Sequence, residues 1–144
     1  MTSILIAYGT TTGNTEVMAE EMQTILSEKY TTKIVMISDT SIEEIQEYDV
    51  LLLGSSTWQD GELQDDWLDF EPEFKKLQLA GKKVATFGPG STSYPQFAKA
   101  AEILQDFATK VGATIIQEPL KIDGDVDEQI ELVQNWTKEL LTKL

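Results

Sequence analysis

Cysteine, histidine and arginine are all absent from this chain of 144 residues. Without cysteine there are no disulfides, no thiol catalysis and no thiolate metal site. Without histidine the commonest general base and the commonest zinc ligand are missing. Any redox chemistry must therefore be carried by a bound organic cofactor. No apolar run reaches the roughly 18 residues of a spanning helix, and the first residues do not join a basic segment to a long apolar one. Neither a membrane span nor a signal peptide is expected, and a cytoplasmic location is. The net charge of −14 argues against nucleic acid or an anionic membrane as partner. The length suits one domain, residues 1–144, and a monomer is expected.

What is present is organised around Gly9–Thr15, which reads Gly-Thr-Thr-Thr-Gly-Asn-Thr. Before it stands the apolar run Ile4–Tyr8, of strand length. After it, Met18, Met22, Ile25 and Leu26 recur at the spacing of one buried helix face. The loop therefore joins the end of a buried strand to the first turn of a helix. Unpaired N–H groups and the positive end of the peptide dipoles meet there, a natural place for an anion. No lysine precedes Lys29, so an anion here is held by neutral donors. A P-loop would need Gly-Lys-Ser/Thr, and a dinucleotide fingerprint would need Gly-x-Gly-x-x-Gly; neither is present.

Strand-like runs recur at Ile4–Tyr8, Lys33–Ile37, Val50–Gly54, Val84–Gly88 and Thr114–Gln117. Helical patterns separate most of them: Asn14–Glu28, a short helix opened by the capping box Ser41-Ile42-Glu43-Glu44, a third from near Leu63 interrupted by Pro72, Phe97–Val111 closed by Gly112, and Asp127–Leu144. This alternation predicts an α/β fold with a doubly wound parallel sheet of five strands. Right-handed crossovers place the loops after strands 1, 3 and 4 along one edge.

Those loops are unusual. After strand 3 comes Ser55-Ser56-Thr57-Trp58-Gln59-Asp60-Gly61, and after strand 4 Gly88-Pro89-Gly90-Ser91-Thr92-Ser93-Tyr94-Pro95-Gln96-Phe97. Each sets one large aromatic among small and polar residues, so a planar ring could stack between Trp58 and Tyr94. Trp67 instead falls on a helix with Leu63 and Phe70 and reads as core. A phospho-accepting receiver domain is rejected, because strand 1 ends in Tyr8-Gly9-Thr10 and strand 3 in Gly54-Ser55.

The loop GTTTGNT, the segments STWQDGELQDDW and FGPGSTSYPQF, and IDGD at 122–125 fall in the order and spacing of short-chain flavodoxins, and the chain resembles that family over essentially its whole length. The resemblance implies a flavodoxin-like sheet of order 2-1-3-4-5 with helices on both faces. The ligand crevice then lies where the winding reverses, a rule of which flavodoxins are themselves an instance. It implies FMN as cofactor, with Thr10, Thr11, Thr12, Gly13, Asn14 and Thr15 at its phosphate. Trp58 would cover the inner face of the ring system and Tyr94 the outer. Ser56, Thr57, Gln59, Gly61, Pro89, Gly90, Ser91, Gln96 and Phe97 would lie along the ribityl chain and pyrimidine edge. No catalytic residue and no metal ligand is implied.

Three departures from the family pattern matter. Many short-chain members have glycine at the position of Gln59, whose following peptide flips toward the reduced ring; a side chain makes the positive-φ form cost roughly 1 kcal/mol more. Many have an acidic residue at the position of Ser91. Pro89 has no N–H to donate.

The implied function is a low-potential one-electron carrier, not an enzyme, moving electrons between redox enzymes. The stretch from Asp60 to Glu73 holds seven acidic residues and no basic one. One charge about 10 Å away contributes about 0.4 kcal/mol at the dielectric constant of water, so several total roughly 1 to 3 kcal/mol before screening. Roughly 1.4 kcal/mol corresponds to about 59 mV for one electron, enough to push the second couple well down. The same charge would steer docking to redox proteins with basic surfaces, such as a ferredoxin/flavodoxin-NADP reductase or another low-potential oxidoreductase. A dedicated partner such as a ribonucleotide reductase is compatible with this reading. The alternative is a flavodoxin-like FMN-dependent NAD(P)H:quinone reductase, for whose additional segments 144 residues leave little room.

Overall fold

The computed structural model describes residues 2–10, 13–58, 62–91 and 98–144, with Trp58 described by its backbone alone. In chain order the elements are β1 (Ser3–Gly9), α1 (Asn14–Leu26), β2 (Thr31–Met36), α2 (Ile42–Gln46), β3 (Val50–Ser55), β4 (Thr57–Trp58), β5 (Glu62–Leu63), α3 (Asp65–Phe74), β6 (Lys83–Gly90), α4 (Lys99–Lys110), β7 (Thr114–Ile115), β8 (Leu120–Asp123) and α5 (Ile130–Leu141). Single 3-10 turns at Ile37–Asp39 and Asp127–Gln129 follow β2 and precede α5.

The main sheet runs β2-β1-β3-β6-β7, with β8 also paired to β6, and every pairing in it is parallel. Counting β7 and β8 as one interrupted strand, this is the expected 2-1-3-4-5 order. Alternation along β1 shows why the sheet is covered twice. Ile4, Ile6 and Tyr8 pack with Met18, Met22 and Leu26 of α1 and with Val133 and Leu140 of α5. Leu5 and Ala7 point the other way, toward Ile45 of α2, Trp67, Phe70 and Phe74 of α3, and Leu104 and Ala108 of α4. β3 is buried along its whole length, as its unbroken apolar run requires.

Ser41 caps α2 as its sequence predicts, its hydroxyl accepting from the Glu44 N–H at 3.2 Å. The Glu44 carboxylate does not return to Ser41 but pairs with Lys33 and Thr40, tying α2 to β2.

Three expectations are corrected. The third helix begins at Asp65 rather than near Leu63, because Leu63 belongs to β5, which pairs antiparallel with β4. Pro72 does not interrupt that helix; it lies two residues before the end at Phe74, where its missing N–H forfeits one bond, to the carbonyl of exposed Leu68. The last strand is not Thr114–Gln117 but two segments. After Ile116 donates to the Val84 carbonyl, the chain turns to α5: Gln117 Nε2 donates to the Trp136 carbonyl at 2.8 Å and Trp136 Nε1 donates to the Glu118 carbonyl at 2.9 Å. Pro119 cannot donate to a ladder, and pairing resumes at Leu120.

Candidate functional site at the carboxyl edge of the sheet

Gly9 lies opposite Ser55, and Gly54 opposite Phe87, so β1, β3 and β6 end side by side. The loops that follow them share one edge, at the reversal of winding between β1 and β3.

The loop after β1 closes on itself. Thr10 Oγ1 accepts from the Gly13 N–H at 3.0 Å, and the Gly13 carbonyl accepts from Val17 N–H at 3.0 Å, opening α1. Gly13 has φ 93°, a left-handed conformation that a side chain would strain. Among the described residues no side chain caps α1, and helix geometry leaves the N–H groups of Asn14, Thr15 and Glu16 without intrahelical acceptors. Thr15 is fully buried, yet its hydroxyl has no partner among the described residues. Leaving such a group unsatisfied costs roughly 1 to 3 kcal/mol. A buried donor beside a bare helix N-terminus suits an anion.

Beneath this loop, the Tyr8 hydroxyl is pushed up to about 12 by burial and by the nearby carboxylates of Glu16, Glu20 and Asp39. It is thus a neutral donor throughout the physiological range.

In the loop after β3, Ser55 Oγ donates to the Ser56 carbonyl at 2.8 Å and accepts from the Gln64 N–H at 3.1 Å. The Ser56 hydroxyl is buried without a partner among the described residues. Thr57 and Trp58 form β4, paired with Glu62 and Leu63. At the end of β6, Pro89 and Gly90 pair with Ile122 and Asp123, and the Gly90 carbonyl accepts from Gly124 N–H at 2.9 Å. Ser91 follows directly.

The carboxyl edge therefore gathers Thr10, Gly13, Asn14, Thr15, Ser56, Thr57, the Trp58 backbone, Pro89, Gly90 and Ser91. Thr11, Thr12, Gln59, Gly61, Tyr94, Gln96 and Phe97, and the Trp58 side chain, lie outside the described residues. Trp67 is core, as its helical spacing indicates; its Nε1 donates to the Gly54 carbonyl at 2.7 Å, and its ring meets Phe70 edge-on at a centroid distance of 6.1 Å.

Gln64 went unremarked in the sequence. It is buried, its Nε2 reaches the Thr10 carbonyl at 3.4 Å, and its Oε1 accepts from Asp66 N–H at 2.9 Å as the cap of α3. The only signal for it was a glutamine just before two aspartates at a helix start, a position where Ser, Thr, Asp or Asn is commoner.

Residues 6–136 match the family model described as Flavodoxin. The chain is 36% identical to a flavodoxin of Maridesulfovibrio salexigens over the full length of both. It is 35% identical to a probable flavodoxin of Bacillus subtilis, with 98% of this chain and 91% of that one covered. The crystal structure of oxidised flavodoxin 2 from Bacillus cereus superposes with a TM-score of 0.93 at 35% identity, over 99% of each chain. A flavodoxin of Fusobacterium nucleatum, described as bound to flavin mononucleotide, has a TM-score of 0.87 at 20% identity over 100% of this chain and 99% of that one, a likeness of fold.

Proposed function

The chain belongs to the flavodoxin family, and from that premise we propose that it is a one-electron carrier that works with non-covalently bound FMN. The observation that carries the cofactor reading is Thr15, a buried hydroxyl at the start of α1 for which the described residues provide neither a partner nor a side-chain cap of the helix. The donor set is wholly neutral, and a phosphomonoester fits it: backbone N–H groups of the first turn and the hydroxyls of Thr10, Thr11, Thr12 and Thr15, with Gly13 supplying the turn and Asn14 an amide.

Ser56, Thr57, Gln59, Gly61, Pro89, Gly90, Ser91, Gln96 and Phe97 are assigned to the sugar chain and the polar rim of the ring, and Trp58 and Tyr94 to its two faces. Bound FMN supplies the one-electron chemistry that no side chain here offers. The protein's part is to orient it and to surround it with charge. Ser55 and Gln64, both buried and joined by a hydrogen bond, would give the loop after β3 a dry, rigid backing for that group.

The docking proposal, a basic redox protein as partner, is supported by the way charge is distributed. Glu62, Asp65 and Asp69 are exposed on β5 and the first half of α3, beside the carboxyl edge, whereas Glu73 near the end of α3 is paired with Lys76. Most lysines sit at the opposite edge, where helices end and strands begin: Lys29 after α1, Lys75 and Lys76 after α3, Lys82 and Lys83 at the start of β6, Lys110 at the end of α4 and Lys143 after α5. Near the site edge, Lys99 and Lys121 are both paired with Glu102. The site edge therefore carries the negative pole, and approach to a basic surface turns that edge forward. Among the described residues no helix is long and apolar enough to cross a membrane.

Denaturing the purified protein and chromatographing the released flavin tests the reading. FMN in about one equivalent is expected; FAD, or no flavin after reconstitution with FMN, would overturn it.

A further inference from the structure

We infer that the recess between the turn Ile37–Asp39 and α3 binds a linear polyamine, an aliphatic chain carrying three ammonium groups. The inference goes beyond the carrier reading and does not depend on FMN being the cofactor.

The recess has a volume of about 320 Å³. Its floor is apolar: Ile37 and Phe70 line it, and both are buried in the core beneath. Its rim is acidic, formed by Asp66, Asp69 and Glu73, with Ser38 offering a hydroxyl from the facing turn. Asp66, Asp69 and Glu73 fall at i, i+3 and i+7, one stripe along α3. Among the described residues the only ion pair these three make is Glu73 with Lys76 at 3.3 Å, between two exposed side chains. Asp66 Oδ2 also accepts from Gln64 Nε2 at 3.2 Å, a bond to a neutral amide that leaves its charge in place.

This lining selects shape as well as charge. Helical rise sets Asp69 about 4.5 Å and Glu73 about 10.5 Å beyond Asp66 along the axis, and extended spermidine, with nitrogens three and four methylenes apart, is roughly 11 Å long. Each ammonium can therefore meet one carboxylate while the methylenes lie on Ile37 and Phe70, the division of stem and head by which lysine covers apolar surface. Among the described residues no three acidic groups converge closely enough to hold a metal ion. The recess thus suits charge spread along a chain rather than concentrated at a point. Occupation cancels part of the negative pole beside the carboxyl edge and slows approach to a basic partner, which makes the polyamine a regulator of docking.

Spermidine is titrated into the full chain at fixed ionic strength while backbone amide shifts are followed by nuclear magnetic resonance. Shifts confined to residues 37–40 and 66–73, saturating at one equivalent, are expected. Hexaamminecobalt(III) has the same charge without a chain, and n-butylamine copies a single lysine side chain. Each is expected to bind at least about tenfold more weakly than spermidine. Asp69→Asn is expected to weaken spermidine at least about fivefold, and Glu131→Gln, which removes an equal charge from α5, less than about twofold. No saturable binding, shifts spread over the acidic surface, equal effects of the two variants, or either comparison cation binding as tightly as spermidine overturns the inference. Should Asp69→Asn lose its circular-dichroism signature, Glu73→Gln decides by the same criteria. The recess contains none of the residues assigned to FMN, so a chain that takes no flavin overturns the FMN reading alone and leaves this titration readable.

Discussion

The hydroxyl of Thr57 accepts a hydrogen bond from the N–H of Ala100 at 2.9 Å, across 43 residues of sequence. The first turn of α4 is thus capped by the loop after β3, whereas its own flanking residue, Ala98, offers no side-chain cap. Two loops of the site are held in mutual register by this contact.

Replacing Thr57 by valine preserves shape and branching but removes the acceptor. A loss of about 1 kcal/mol is expected, the ordinary cost of removing a helix cap. At this size that lowers Tm by roughly 4 °C, measurable by thermal unfolding of the flavin-free protein.

Thr15→Val is expected to act in opposite directions on stability and binding. The variant removes a buried hydroxyl that has no partner among the described residues, so the flavin-free chain should be as stable as wild type or slightly more so. FMN affinity should fall about tenfold or more, because a hydrogen bond to a charged group is worth roughly 1.5 to 3 kcal/mol. Fluorescence titration and thermal melts of the same preparation check both halves.

Tyr8 is held neutral by burial and by Glu16, Glu20 and Asp39, with its folded value raised from 10.0 to about 12. A raised value means that the folded state favours the protonated phenol. The associated stability is fully present below pH 10, the unfolded value, and is lost as pH climbs toward 12. The loss over that window amounts to about 2 to 3 kcal/mol. Among the 4 tyrosines, Tyr8 is expected to ionise with a midpoint near 12 in a spectrophotometric titration, and Tyr8→Phe should flatten the decline in stability between pH 10 and 12.

Gln59 lies outside the described residues, yet its chemistry is testable. Glycine adopts a positive φ at roughly 1 kcal/mol less than a residue with a side chain. Gln59→Gly should therefore raise the potential of the first one-electron couple of bound FMN, by roughly 40 mV on the scale of about 59 mV per 1.4 kcal/mol. A potential that stays level or falls in a redox titration removes the peptide-flip argument.

Much of this molecule is readable from local pattern. The runs Ile4–Tyr8 and Val50–Gly54 read as strands buried on both faces, and the spacing of Met18, Met22 and Leu26 as one side of a helix. Gly13 and the threonines around it mark an anion loop because glycine geometry and a helix N-terminus are local physics. The short pair β4 and β5 was not readable, because two residues carry no periodicity. Nor was the break between β7 and β8, where Gln117 and Trp136 bond to backbone groups of elements remote in sequence.

Length, the missing cysteine and histidine, the acidic surplus and the order of strands and helices were determined by the sequence alone, since composition and short-range periodicity depend on neighbours in the chain. That Thr57 caps α4, that Gln64 spans two loops, and that Thr15 is enclosed with its hydroxyl unanswered were decided only by the tertiary structure. The physical reason is that a hydrogen bond closed across dozens of residues leaves no periodic mark on either partner, and becomes visible only when the sheet has brought the ends of β1, β3 and β6 together.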